Sequence, residues 1–109
     1  MATTLDFVEF VCEQTRGVGE ISYKKMFGEY MVYVNAKPIL LVCDNTVYVK
    51  MHEEVSSLLA EADSGNPFEG AKKHYILDID NTELSQAVAE ILERVTPIPI
   101  KKIKKEKKS

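Results

Sequence analysis

Between Glu20 and Met51 the chain carries four β-type runs separated by turn residues, and no other stretch constrains the fold as strongly. The first two runs are Ile21 to Phe27 and Glu29 to Val34, which flank Gly28. Tyr23 to Tyr33 holds three tyrosines, one phenylalanine and two methionines in eleven residues. Aromatic side chains of this kind suit a pleated, half-buried surface. A glycine inside such a run marks a bulge, a tight bend or a close backbone approach, so a bend is expected at Gly28. Asn35-Ala36-Lys37 has turn chemistry, and Pro38 opens the apolar run Ile39 to Cys43, which suits a central strand. Asp44-Asn45 fits a two-residue hairpin, because both residues tolerate a positive φ. Thr46 to Met51 then alternates, with Val47, Val49 and Met51 on one side. The expectation is a four-stranded antiparallel meander.

Helical periodicity lies on both sides of this block. Leu5, Phe7, Val8, Val11 and Cys12 share one face, and Thr3 with Asp6 resembles a capping box. That helix should end before Gly17 and Gly19. Val55, Leu58, Leu59 and Ala62 have the spacing of a second amphipathic helix. A polar loop from Asp63 to Ala71 holds Phe68 as its only large apolar residue. His74 to Ile79 reads as a fifth strand, Asp80 to Glu83 offers several N-caps, and Leu84, Val88, Ile91, Leu92 and Val95 form the stripe of a third helix. Pro97 and Pro99 end it. The order α-β-β-β-β-α-β-α predicts an α+β two-layer sandwich, an antiparallel sheet of about five strands with helices on one face. Residues 1–96 form the expected domain, and 97–109 a Pro/Lys-rich tail.

The 109 residues suffice for one core. No apolar run approaches the roughly 18 residues of a membrane span, and the N-terminus lacks a secretory pattern, so a cytoplasmic protein without a membrane role is expected. The last nine residues carry six lysines and one glutamate, a local +5; with −3 overall, Met1 to Ile100 carries −8. An acidic body of this kind is not the profile of a folded face that grips nucleic acid. The tail lysines Lys101, Lys102, Lys104, Lys105, Lys107 and Lys108 suit either a solvated terminus or salt-dependent phosphate binding. Ile98, Ile100 and Ile103 alternate, which would let the start of the tail lie along a sheet edge.

Chemistry-bearing motifs are sparse. His52 and His74 have no triad context and no metal-ligand spacing, and read as solvated or capping residues. Cys12 and Cys43 read as small core hydrophobes in a reducing compartment. Gly17-Val18-Gly19 follows a helix, the reverse of a phosphate loop. No enzyme activity, cofactor or metal is expected. The remaining alternatives for Tyr23 to Tyr33 are core aromatics and a lysine–aromatic surface for a partner. An uncovered sheet face would favour the latter, with a homodimer or an unidentified protein partner.

Lys24-Lys25-Met26-Phe27-Gly28-Glu29-Tyr30, followed by Tyr33, resembles the hallmark of the TfoX/Sxy N-terminal domain family, two basic residues before Met-Phe-Gly-Gly-Tyr and a further aromatic. Leu41-Val42, Asp44 and Val47-Tyr48-Val49-Lys50 resemble its next hairpin, Pro67-Phe68 its loop, and Tyr75 with Leu77 its following strand. The likeness runs from about Leu5 to Val95. Glu29 replaces the usual second glycine, the last helix lacks the family's aromatic, and the lysine tail is not a family feature. The resemblance implies a two-layer fold like that of secretion chaperones. It also implies a stand-alone regulatory or adaptor domain working through protein contacts, with a link to transcription and natural competence. The candidate partner surface is then Lys24, Lys25, Met26, Phe27, Gly28, Tyr30, Tyr33, Tyr48 and Lys50.

Overall fold

The computed structural model describes residues 3–26 and 29–97. Two helices, α1 (Leu5–Gln14) and α2 (Thr82–Val95), pack on one face of a six-stranded antiparallel sheet. The strands are β1 (Ile21–Met26), β2 (Glu29–Val34), β3 (Lys37–Cys43), β4 (Thr46–Val49), β5 (Ser64–Gly65) and β6 (His74–Ile76), in the spatial order β1-β2-β3-β4-β6-β5. The fold is α+β, and the meander through β4 is as the sequence predicts.

Paired residues place Tyr30, Val32 and Val34 beside Leu40, Val42, Val47 and Val49 on the helix side. Val8 and Val11 of α1 and Val88 and Leu92 of α2 close over them. A fully buried aliphatic side chain contributes about 1.5–3 kcal/mol, so this shared layer is the main stabilising feature. Ile39 is an extra residue where the β2–β3 register shifts, and it and its neighbour Leu40 are both buried. Pro38 sits in β3 rather than before it, opposite Tyr33. The β4 ladder starts only at Leu41, so the missing proline N–H leaves no described β4 residue without a donor.

Both two-residue hairpins adopt left-handed backbone, at Asn35 and Ala36 (φ 53° and 69°) and at Asp44 and Asn45 (φ 52° and 53°). β1 and β2 also pair as a hairpin, Met26 opposite Glu29. The expected bend at Gly28, with Phe27 and the side chain of Met26, lies outside the described residues, as does the tail from residue 98.

The structure corrects four local expectations. Thr4, not Thr3, caps α1, its hydroxyl accepting from Phe7 N–H. The second helix is one 3₁₀ turn, Glu53–Val55, followed by turns. Its bonds are mostly i→i+3, and Ser56 Oγ donates to the Glu53 carbonyl, competing with helical propagation over a segment too short to sustain it. Val55 and Leu59 still reach the core, but Leu58 is 41% exposed. β4 stops at Val49, which leaves Met51 exposed. β6 stops at Ile76 and gains the two-residue β5 as a neighbour.

Candidate partner surface

One row of directly paired residues crosses five strands on the face away from the helices: Lys24, Met31, Leu41, Tyr48 and Ile76. Four inter-strand spacings make it roughly 19 Å long. Met31, Leu41, Tyr48 and Ile76 are half-buried, and no described helix packs on them. Ser22, Tyr33 and Pro38 form the adjacent row. Lys24 Nζ lies 6.0 Å from the centroid of the Tyr33 ring, at the limit of a cation–π contact. At the opposite end Tyr48 and His74 meet edge-on, with centroids 6.4 Å apart. Burial is the main cause that pushes the Tyr48 phenol above its ordinary value, followed by Cys43 and Asp44.

The motif residues divide between the two faces. Lys24, Tyr33 and Tyr48 share the open face. Tyr30 is 8% exposed in the core, so it is removed from the surface the sequence suggested. Its ring meets Tyr23 edge-on at 5.7 Å, and this pair closes the helix side at β1. Lys25 is exposed beside Tyr30 on that same side. Lys50 is exposed one residue beyond β4. Sequence reasoning missed Met31, Leu41 and Ile76. The alternation of β2 could have found Met31, whereas the unbroken apolar run of β3 conceals which face Leu41 takes.

Glu29 has a structural use that its replacement of a glycine did not suggest. Its Oε1 accepts from Thr3 Oγ1 at 2.6 Å and from Asp44 N–H at 3.1 Å. Thr3 Oγ1 also accepts from Asn45 N–H, and Thr4 N–H donates to Asn45 Oδ1. The start of α1 is thereby stitched to the β3–β4 turn.

The nucleophile candidates are quiet. Cys43 is 3% exposed, and burial, then Glu29 and Asp44, push its thiol up to about 11. Cys12 lies in a cleft with Glu9, Glu13, Arg16, Gly19 and Ile21, and burial followed by Glu9 pushes its thiol up as well. Both sulfurs are therefore protonated, weakly nucleophilic thiols at neutral pH. His74 Nδ1 lies 2.8 Å from the Lys72 carbonyl, and His52 occupies the cap position of the 3₁₀ turn. Among the described residues no group of three or more His, Cys, Asp or Glu could hold a metal ion, and no helix is long and apolar enough to cross a membrane.

Comparison with known proteins supports the motif reading. The chain is 31% identical over 78 residues to a Spirochaeta aurantia protein described as an uncharacterized 12.7 kDa protein in the trpE 5′ region, covering 72% of this chain and 68% of the relative. The model of the TfoX N-terminal domain family matches residues 13–95, from the end of α1 through α2, and so takes in all six strands. With the hallmark on the β1–β2 hairpin and most of its length matched, this chain belongs to the TfoX N-terminal domain family.

Proposed function

We propose that the protein is a non-enzymatic regulatory or adaptor domain that acts in the cytoplasm through protein contacts, in the setting of transcription or competence control associated with its family. The observation that carries this reading is the half-buried row Met31, Leu41, Tyr48 and Ile76, flanked by Tyr33 and Lys24. A contiguous apolar strip on an otherwise charged domain is the usual mark of a contact surface. Aromatic and methionine side chains with a rim charge match the composition of interface cores. The two protonated thiols favour contact over nucleophilic catalysis. A second copy is the first occupant proposed for this face, because two-fold pairing lets one strip bury itself against its own image.

Light scattering over the micromolar range tests this reading, with the intact chain and with Leu41→Lys. The parent is expected at twice the chain mass and the variant at the monomer mass, both with the parent's circular dichroism. A parent that stays monomeric removes the homodimer. Intact chain and variant retaining the same cytosolic proteins in a parallel pull-down removes the open face as the contact surface.

A further inference from the structure

The two edges of the sheet are unequal. β5 ends one side with two residues, a short edge of the kind that discourages strand addition. β1 ends the other with six residues, and Ser22 to Lys25 are exposed in succession. The register fixes which backbone groups face outward. The unbroken register from Ile21 opposite Val34 to Met26 opposite Glu29 lets one hydrogen-bonded pair set the alternation for the whole strand. Asn35 N–H donates to the Glu20 carbonyl at 2.8 Å, so Glu20 and Asn35 are such a pair, and every second residue of β1 from there repeats it. Glu20 spends its backbone groups on Asn35, Ser22, Lys24 and Met26 turn theirs to β2, and those of Ile21, Tyr23 and Lys25 point away from the sheet.

We propose that β1 is a docking edge for an acidic, extended segment of another protein, which adds to the sheet as a seventh strand. Outward N–H and C=O groups supply main-chain bonds of the kind used in strand addition. Lys24 and Lys25, being consecutive, place one ammonium on each face of that edge. The ion pairs among the described residues join Arg16 to Glu13 and Lys37 to Glu93, and neither engages these two lysines. They form a local cationic site in a body of charge −8. A second copy of β1 fits less well, since it would bring four lysines into one two-stranded ribbon. This inference rests on the contact-domain reading; the edge adjoins the open face and shares Lys24 with it, while its outward backbone groups and Lys25 lie outside that row.

The test uses the full-length protein and a fluorescein-labelled octapeptide alternating valine and glutamate. Fluorescence anisotropy is expected to show binding that weakens at least tenfold for Lys24→Glu/Lys25→Glu, and equally for the peptide N-methylated at every residue, which blocks both of its edges. Amide exchange at Ile21, Tyr23 and Lys25 should slow on binding. Tyr23→Pro removes one outward N–H and leaves the β2-facing bonds intact, so it too should weaken binding. Leu41→Lys should leave peptide affinity unchanged, which separates failure here from failure of the open-face reading. Binding insensitive to charge reversal or to N-methylation overturns the proposal. So does protection of the same amides that rises with protein concentration in the absence of peptide, since a second copy would then occupy the edge.

Discussion

Thr3 Oγ1 donates a 2.6 Å hydrogen bond to Glu29 Oε1, joining the residue before the cap of α1 to the first residue of β2. The same carboxylate oxygen accepts from Asp44 N–H, so one side chain holds the start of the helix, the start of β2 and the β3–β4 turn together. Hydrogen bonds to a charged group contribute about 1.5–3 kcal/mol each net of exchange with water, and less where, as here, one is part-buried and the other exposed. Glu29→Gly, which removes that carboxylate, is therefore expected to lower stability by about 1–3 kcal/mol. Glu29→Gln should cost less, because the amide oxygen still accepts. Urea unfolding followed by circular dichroism reads both, and an unchanged midpoint for Glu29→Gly would show that these bonds carry no net stability.

Acid sensitivity is expected at the other end of the sheet. Lys37 Nζ donates to the Glu93 carbonyl at 2.8 Å and lies 3.2 Å from Glu93 Oε2, while Asn35 Nδ2 donates to that same carboxylate oxygen. The Asn35 bond, then the Lys37 bond, hold the Glu93 carboxyl below its ordinary 4.5. A carboxyl depressed in the folded state contributes stability above its unfolded value, and that contribution is lost as pH falls through the folded value. Melting temperatures taken from about pH 7 down to about pH 3 should fall less steeply in Glu93→Gln than in the parent. Parallel acid limbs would rule out Glu93 as a contributor.

Ala36 sits at φ 69° in the second position of its hairpin turn, where an L-residue with a Cβ is strained by about 1–2 kcal/mol. Glycine removes that strain but enlarges the unfolded ensemble, so Ala36→Gly is expected to stabilise by about 0.5–1 kcal/mol. Thermal melts decide it. A loss of stability would mean that the Ala36 methyl group makes a packing contribution larger than the backbone strain.

Most of the fold is legible in local pattern. Period-two runs, paired turn residues with positive φ and two apolar helix stripes identify β1 to β4, α1 and α2, because each signal is settled within a few residues. The segment around Val55 misleads, since its i, i+3, i+4 spacing serves a 3₁₀ turn and loose turns as well as a helix. What separates them is the brevity of the run and the Ser56 hydroxyl bonding back to Glu53. β5 has no sequence signal, because a two-residue strand exists only through its pairing with β6. The candidate surface is half legible. Lys24 and Tyr33 are visible in the motif, but their union with Leu41 and Ile76 depends on register across strands far apart in sequence. The motif also misplaced Tyr30, whose burial follows from the parity of β2 once Val32 and Val34 are assigned to the core.

The lysine tail makes a separate prediction about nucleic acid. Its six lysines are the only dense positive charge in a chain whose remainder carries −8, and the lysines of β1, Lys24 and Lys25, are two single charges on opposite faces of the strand. Any affinity for duplex DNA should therefore come from Lys101 to Ser109 and from counterion release. Each neutralised phosphate contributes a slope of about −0.9 in log affinity against log salt, so six contacts predict a loss of about 10³-fold between roughly 50 and 200 mM salt. Fluorescence anisotropy with a labelled duplex should show that steep dependence for the full chain, no sequence preference, and no binding once residues 101–109 are deleted. Lys24→Ala/Lys25→Ala should leave it unchanged. Binding that survives the deletion, or that hardly responds to salt, would place the nucleic-acid contact on the folded domain, and the acidic charge of the body would then have to be locally reversed at that face.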